Sequence, residues 1–279
     1  MQEFACLGPA GTYSHKAAIA YFKAKSIKKD VAFFPTIIDV LESVENKKVM
    51  EAIVPVENSV EGTVNETQDF LARCKHINII AEITIDIDHN IIGFLGADLK
   101  KVTKVISHPQ PIAQCKTFIR KNMPNASVEY STSTTAAIQK VAELGDNKNV
   151  AIGNSLIVKD FGLEILKRNI SDTIDNQTRF FVINNDKTLA KGDKVSIVFS
   201  IEKDVPGGLY RILGEFANRG INLTKIESRP SKGDRFTYKF FIDLQGCIAD
   251  NEVKKALDNI SKLSTFFKIL GVYEEIGSC

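Results

Sequence analysis

Along the first two-thirds of the chain, short apolar runs alternate with longer stretches in which apolar positions recur every three or four residues. The runs at 3–7, 31–34, 50–56, 77–87, 90–95, 102–107, 127–130, 150–152 and 180–184 read as strands. The spaced patterns at 12–24, 37–44, 64–74, 112–122 and 134–144 read as amphipathic helices. Strands and helices in this alternation predict an α/β architecture whose ligand-binding loops lie at the strand ends.

The pattern changes after residue 184. The stretch 184–194 (NNDKTLAKGDK) is polar and charged and suits a linker. Val195, Ile197, Phe199 and Ile201 then alternate on one face, as in a half-buried strand. Leu209, Ile212, Leu213, Phe216 and Ala217 follow helical spacing up to Gly220, a helix stop. Strands are predicted at 221–227 and 236–244, joined by the turn-rich Pro230-Ser231-Lys232-Gly233-Asp234. Asp250 can cap a helix carrying Val253, Leu257 and Ile260, and 266–273 supplies a last strand. The order βαββαβ is the ferredoxin-like arrangement. The expected division is therefore 1–185, a linker at 186–193, and a smaller unit at 194–279.

Composition narrows the function classes. A chain of 279 residues favours two units, and 44% hydrophobic with 25% charged residues is ordinary for a globular protein. A net charge of +2, from 36 basic and 34 acidic residues, gives no support for nucleic-acid or membrane partners. Cys6, Cys74, Cys115, Cys247 and Cys279 are scattered and none forms a CxxC pair, so reduced thiols in the cytoplasm are expected. No basic segment leading into an apolar run opens the chain, which agrees with that location. The chain has neither a G-x-x-x-x-G-K-[ST] loop nor a G-x-G-x-x-G after a strand. His15, His76, His89 and His108 have no metal-ligand spacing. No cofactor and no metal are expected.

Several segments place polar groups where chemistry would need them. Gly8-Pro9-Ala10-Gly11-Thr12-Tyr13-Ser14 lies between a strand and a helix, where free N–H groups attract anions and Thr12 can also serve as a cap. Val54-Pro55-Val56-Glu57-Asn58-Ser59-Val60-Glu61-Gly62-Thr63-Val64 carries a hydrophobic strand into a crowd of polar residues. There Glu57 is either a general acid or a structural carboxylate paired with an arginine, while Asn58 and Ser59 offer neutral hydrogen bonds. His108-Pro109-Gln110 opens a helix, with His108 as cap or catalyst, and Ser131–Ala137 again puts hydroxyls at a helix start. In Thr178-Arg179-Phe180 the arginine can bind a carboxylate bidentately.

Taken together, GPAGTYS at 8–14, VPVENSVEGTV at 54–64, HPQP at 108–111, STTAA at 133–137 and TRF at 178–180 resemble the prephenate dehydratase family. The C-terminal unit resembles an ACT domain, through Pro206-Gly207-Gly208-Leu209 and the stretch from Gly220 to Pro230. One departure is Gly208, where the family's Gly-Ala-Leu motif carries alanine. The resemblance implies a bilobed catalytic domain like the type II periplasmic binding proteins, followed by a regulatory ACT domain. One lobe would use about 1–80 with 160–185, the other 81–159.

The activity so implied is the decarboxylating dehydration of prephenate to phenylpyruvate, a carbon–oxygen lyase reaction of L-phenylalanine biosynthesis, in a monofunctional chain. Thr178, Arg179 and Glu57 would be catalytic, with Thr178 serving the departing hydroxyl and Arg179 a carboxylate. Substrate would be bound by Thr12, Tyr13, Ser14, Asn58, Ser59, Gly62, Ser133, Thr134 and Phe180. Phenylalanine, as feedback effector, would meet Pro206, Gly207, Gly208, Leu209, Asn222, Leu223, Glu227, Ser228 and Arg229. ACT pairing implies a homodimer or homotetramer. Two rivals stand beside this reading: a non-enzymatic solute-binding protein, and a dehydratase acting on arogenate, which differs from prephenate in an amino for a keto group.

Overall fold

The computed structural model describes residues 2–173, 175–186, 191–201, 206–231 and 238–277. The first lobe runs β1 (Gln2–Leu7), α1 (Tyr13–Lys25), β2 (Val31–Phe34), α2 (Ile37–Glu45), β3 (Val49–Asn58), the two-residue β4 (Gly62–Thr63), α3 (Asn65–Arg73) and β5 (Asn78–Asp86). The second lobe contains β6 (Asn90–Gly93), β7 (Lys104–Ser107), α4 (Pro109–Gln114), α5 (Lys116–Asn122), β8 (Ser127–Tyr130), α6 (Thr134–Leu144), β9 (Asn149–Gly153) and β10 (Glu164–Lys167). The chain then returns to the first sheet as β11 (Gln177–Asn184). The C-terminal unit is β12 (Lys194–Ser200), α7 (Gly208–Ala217), β13 (Leu223–Pro230), β14 (Tyr238–Gln245), α8 (Asn251–Leu263) and β15 (Phe266–Ile276), the βαββαβ order expected.

The two lobes share one plan. In the first, β2-β1-β3 form a parallel trio beside antiparallel β11 and then β5; in the second, β8-β7-β9 form the same trio beside antiparallel β6 and then β10. Two segments cross between the sheets, one after β5 and one before β11. The changeovers fall later than expected. All of β5 pairs in the large sheet, so the first crossing follows Asp86 and not residue 80. β10, a strand the pattern did not announce, pairs with β6, which keeps residues 164–167 in the second lobe. The helix expected at 112–122 is two, α4 and α5, divided at Cys115. Of the expected linker, residues 187–190 lie outside the described residues, as do 232–234 of the hairpin turn.

The C-terminal unit is built into the sheet of the first lobe. β15 pairs in parallel with β5, so β13-β14-β12-β15 continue into β5-β11-β3-β1-β2. Gly271 makes the joint possible: a Cβ there would come 2.3 Å from the Ile79 carbonyl oxygen. Val198, Phe241, Leu270 and Tyr273 of the C-terminal unit share one apolar cluster with Val54, Val56, Leu71 and Phe181. Each such aliphatic or aromatic side chain taken from water contributes about 1.5–3 kcal/mol. The other face of the C-terminal sheet packs Ile197, Phe199, Ile242 and Leu244 against Ile212, Phe216, Val253 and Ile260 of α7 and α8.

Candidate active site

The helix starts that face the gap between the lobes are locally encoded. Thr12 caps α1, its hydroxyl accepting from the His15 amide at 3.3 Å, and Ser133 caps α6 from the Ala136 amide at 3.0 Å. Replacing such a cap by alanine costs about 0.5–2 kcal/mol. Helix geometry leaves the N–H groups of Tyr13, Ser14, Thr134 and Thr135 without intrahelical acceptors. The turn before α1 is docked onto the second lobe: Asn154 Nδ2 donates to the Gly11 carbonyl at 2.7 Å, and Thr135 Oγ1 to the Ala10 carbonyl at 3.2 Å. Gly11 has φ +86°, and a Cβ on it would lie 2.6 Å from Ile157, so both conformation and space exclude a side chain.

A cleft of about 500 Å³ opens between the lobes, within the usual size of a small-molecule site. Thr12, Tyr13, Ser14, Asn58, Gly62, Thr178 and Phe180 line it from the first lobe, and Ser133 and Thr134 from the second. His108, whose Nδ1 caps α4 through the Gln110 amide at 3.4 Å, also lines it. No lysine or arginine is among its lining residues, so an anion there would be held by helix N–H groups and hydroxyls.

Below this surface runs a hydrogen-bond chain whose direction is set by the backbone. The amides of Val60 and Glu61 both donate to Asn58 Oδ1 at 3.0 Å, which turns Asn58 Nδ2 toward Thr178 Oγ1 (2.8 Å) and Asn176 Oδ1 (2.8 Å). Asn176 Nδ2 donates to Gln114 Oε1 at 3.0 Å, and His89 Nε2 lies 2.7 Å from that same oxygen. An oxygen accepts only, so the His89 hydrogen sits on Nε2. Thr178 Oγ1 accepts from Asn58 and lines the cleft, which leaves its hydroxyl able to donate to a bound molecule there. Sequence reading passed over His89, Gln114 and Asn176. Nothing local marks them, because their partners lie 62 and 25 residues away along the chain.

Burial lowers the pKa of His89 below its ordinary value, against the opposing pull of Gln114 and Asp88. Burial also lowers that of His15, whose Nδ1 accepts the Gly11 amide at 3.0 Å. Tyr13 is held neutral, its pKa raised by burial and by Asp88 and Cys115. Because both histidines resist protonation when folded, the unfolded chain binds more protons between their folded pKa values and about 6.5. Stability should therefore fall as pH drops below about 6.5 and level off below the folded values. Thermal melts from pH 7.5 to 5 would test this. His89→Gln should flatten part of the slope, and a slope unchanged in that variant would remove His89 as its source.

Two expected catalytic residues sit elsewhere. Side chains alternate along β11, so Thr178 and Phe180 face the cleft while Arg179 faces the C-terminal unit. There Arg179 Nη2 binds Glu82 Oε2 at 2.5 Å and Asp243 Oδ2 at 2.6 Å, and its guanidinium stacks on Phe181 at 4.8 Å. Burial opposes its charge, but Asp243 and Glu82 outweigh it and hold its pKa above the ordinary value. Arg179 is thus an interior ion partner and not a cleft carboxylate holder. Glu57, its cross-strand neighbour, pairs with Lys225 at 2.9 Å and lies 3.7 Å from Arg179. That arrangement matches the structural alternative for Glu57 and not the general acid. Ser59 also turns from the cleft, donating to the Asp175 carbonyl at 3.1 Å and accepting from the Gln177 amide at 3.0 Å.

The proposed effector residues split between two faces. Gly207, at φ +75°, precedes α7 beside exposed Pro206, and a Cβ on Gly208 would come 3.0 Å from the tip of Ile201. Leu209 and Leu223 pack on the helix side of the C-terminal sheet, Asn222 donates to Gln245 at 2.8 Å, and Ser228 is exposed. Glu227 and Arg229 point the other way, onto the first lobe: Glu227 binds Thr63 and Gln68, and Arg229 binds Asp69 at 3.1 Å and also Asn65. The register shift of β13 between Leu223 and Lys225 therefore corrects the expectation that all nine residues share one effector site.

The prephenate dehydratase family model matches residues 4–188, well over half of the chain. The chain belongs to the prephenate dehydratase family. An ACT domain model matches residues 195–262, the C-terminal unit. Among family members, the prephenate dehydratase of Methanocaldococcus jannaschii is 41% identical over 268 residues, which cover 95% of each chain. The prephenate dehydratase of Arthrobacter aurescens, solved in complex with L-Phe, has a similar fold, with a TM-score of 0.87 at 32% identity over 98% of this chain and 90% of that one. GqqA, described as a novel type of quorum quenching acylase, has a TM-score of 0.84 at 27% identity over 99% of this chain and 98% of that one. The two-lobed α/β domain and the ACT domain expected from the motifs are both present.

Proposed function

We propose that this member of the family converts prephenate to phenylpyruvate, carbon dioxide and water, as a lyase of phenylalanine biosynthesis. The observation that carries the reading is the place of Thr178, whose hydroxyl accepts from Asn58 and lines a cleft that also collects the starts of α1 and α6. Prephenate brings two carboxylates and a ring hydroxyl. The N-termini of α1 and α6 receive the carboxylates, and Thr178 donates to the departing oxygen. As the ring carboxylate leaves as carbon dioxide, its bonding electrons enter the ring and expel the hydroxyl, which takes up a proton to leave as water. Aromatisation supplies much of the driving force, so the protein contributes mainly positioning and electrostatics. Phe180, Pro55 and Ile87 give the ring an apolar wall. No cofactor has a part in this scheme.

The ACT unit would bind L-phenylalanine on the helix side of β13, near Gly207 to Leu209 and Asn222, and lower turnover as feedback. Among the described residues β13 ends the large sheet with one edge unpaired and Ile226 half exposed, which supports pairing with a second copy into a homodimer or homotetramer. The free thiols of Cys6, Cys74, Cys115 and Cys247 suit a reducing cytoplasm.

The test is parallel kinetics on prephenate and arogenate, following carbon dioxide and the aromatic product. Prephenate should turn over with at least about tenfold higher kcat/KM. Carbon dioxide release no faster than the spontaneous reaction, or turnover of arogenate alone, would overturn the proposal. Addition of L-phenylalanine should lower the rate, and a rate that does not change would remove the feedback role.

A further inference from the structure

We propose that Glu227, on the ACT strand β13, is a positioning residue for the cleft, holding from behind the loop that orients Thr178. The proposal deepens the dehydratase reading and rests on it for its kinetic readout. The loop in question is 58–64, between β3 and α3. Its inner side lines the cleft at Asn58, Glu61, Gly62 and Thr63. Asn58 is also the residue whose side-chain amide holds the Thr178 hydroxyl oxygen, at 2.8 Å.

The outer side of the same loop is held by the ACT unit. The β13–β14 register shifts between Leu223 and Lys225, and beyond the shift Lys225, Glu227 and Arg229 turn toward the first lobe while Ile226 and Ser228 are exposed. Glu227 Oε2 accepts from Thr63 Oγ1 at 2.6 Å and from Gln68 Nε2 at 3.0 Å, and lies 3.2 Å from Lys225 Nζ. Lys225 in turn binds Glu57, which immediately precedes Asn58. Farther along, Lys268 of β15 donates to the Leu71 and Cys74 carbonyls at 2.6 and 2.7 Å, at the carboxyl end of α3.

One carboxylate oxygen thus gathers the end of the loop, the first turn of α3 and the lysine that reaches the end of β3. Hydrogen bonds to an ionised acceptor are the strong ones, and the Thr63 contact at 2.6 Å has the length of that class. Asn58 anchors the near end of the loop through the Val60 and Glu61 amides, and Glu227 anchors the far end. Without the second anchor the loop can shift relative to β11, and Asn58 carries the Thr178 hydrogen bond with it. A displacement of the order of 1 Å at such a group is enough to slow a reaction substantially. The anion-holding starts of α1 and α6 are untouched, so the effect should fall on kcat and leave KM nearly constant.

The experiment compares Glu227→Ala and Glu227→Gln in the full chain, by prephenate kinetics, L-phenylalanine binding and amide hydrogen exchange. Glu227→Ala should lower kcat about tenfold, with KM and the L-phenylalanine Kd within about twofold of the parent. Exchange at Val60, Glu61, Thr63 and Val64 should quicken while the amides of β1 and β7 stay as protected as before. Glu227→Gln keeps an acceptor oxygen for Thr63 and should restore kcat to within about threefold. Unchanged kcat with weakened L-phenylalanine binding would overturn the proposal and make Glu227 an effector contact. If the parent protein fails to turn over prephenate, the dehydratase reading fails, and exchange then decides alone: unaltered exchange in 60–64 of Glu227→Ala would overturn the positioning role.

Discussion

Thr178→Val is expected to lower turnover of prephenate by about 10²–10³-fold, the range seen when one preorganised donor to developing charge is removed. Valine matches threonine in shape, so the change removes the hydroxyl and little else. Thr178 is buried, between Asn58 and Ile85 in the sheet register. The Asn58 amide loses one acceptor but keeps Asn176 Oδ1 and the Gln177 carbonyl, at 2.8 and 3.1 Å, so no buried donor is stranded. The fold should therefore persist, with a melting temperature within a few degrees of the parent. KM should change little, because the carboxylates are assigned to the helix starts. Steady-state kinetics on the variant check this, and turnover within tenfold of the parent would remove Thr178 from the reaction. Thr178→Ser keeps the donor and should retain most of the rate.

The second large effect is on stability. Arg179→Met is expected to cost about 3–5 kcal/mol, the usual penalty for removing one partner from a buried charge cluster. Glu82 and Asp243 have side chains only 4% and 7% exposed, and Arg179 lies within 2.6 Å of both. Lys194 would still pair with Glu82 at 2.9 Å, but among the described residues Asp243 would keep only the side-chain bond from the Ser196 hydroxyl, at 2.5 Å. The loss should appear as a lower denaturant midpoint and a melting temperature down by on the order of 10 °C. Folded Arg179→Met at low temperature should bind prephenate with an unchanged KM. A tenfold rise in KM at unchanged stability would return Arg179 to the cleft and refute its interior role. The cluster also joins the two domains, since Asp243, Ser196 and Tyr273 belong to the ACT unit. Arg179→Met should accordingly expose the interface to proteolysis before the rest of the chain.

These two predictions concern adjacent residues of one strand, and they show how far the chain could be read in advance. The TRF tripeptide marked both as important, through a family resemblance. A period of two says that neighbours on a strand face opposite sides, but it does not say which side holds the cleft. That choice depends on β3 and β5 flanking β11, which is a fact about pairing between segments about 100 residues apart.

Local chemistry was legible. Thr12 and Ser133 are caps because short polar side chains before an apolar helical pattern satisfy the first amides, His108 does the same through its ring Nδ1, and the structure has each in that role. The βαββαβ order of the ACT unit followed from apolar periodicity and from Gly220, since both are properties of contiguous residues. The chain of Asn58, Asn176, Gln114 and His89 was not legible, since its members come from a strand end, a crossing segment, a helix end and the other crossing segment. Neither was the split of β13 into an outward face and a face gripping α3, which depends on a register shift at Thr224.

By itself the sequence determined the elements, their order, the helix starts that can hold anions and the family to which the chain belongs. Such information is carried by neighbours a few residues apart, whose spacing and hydrogen-bonding capacity act before any long-range contact forms. Only the tertiary structure decided which polar residues meet. It made Arg179 an interior ion partner, turned Glu227 onto the cleft loop, and continued the ACT sheet into the catalytic one through β15 and β5. A buried charge is stable only beside its partner, and that partner is chosen by packing in three dimensions, which residue type and spacing do not encode.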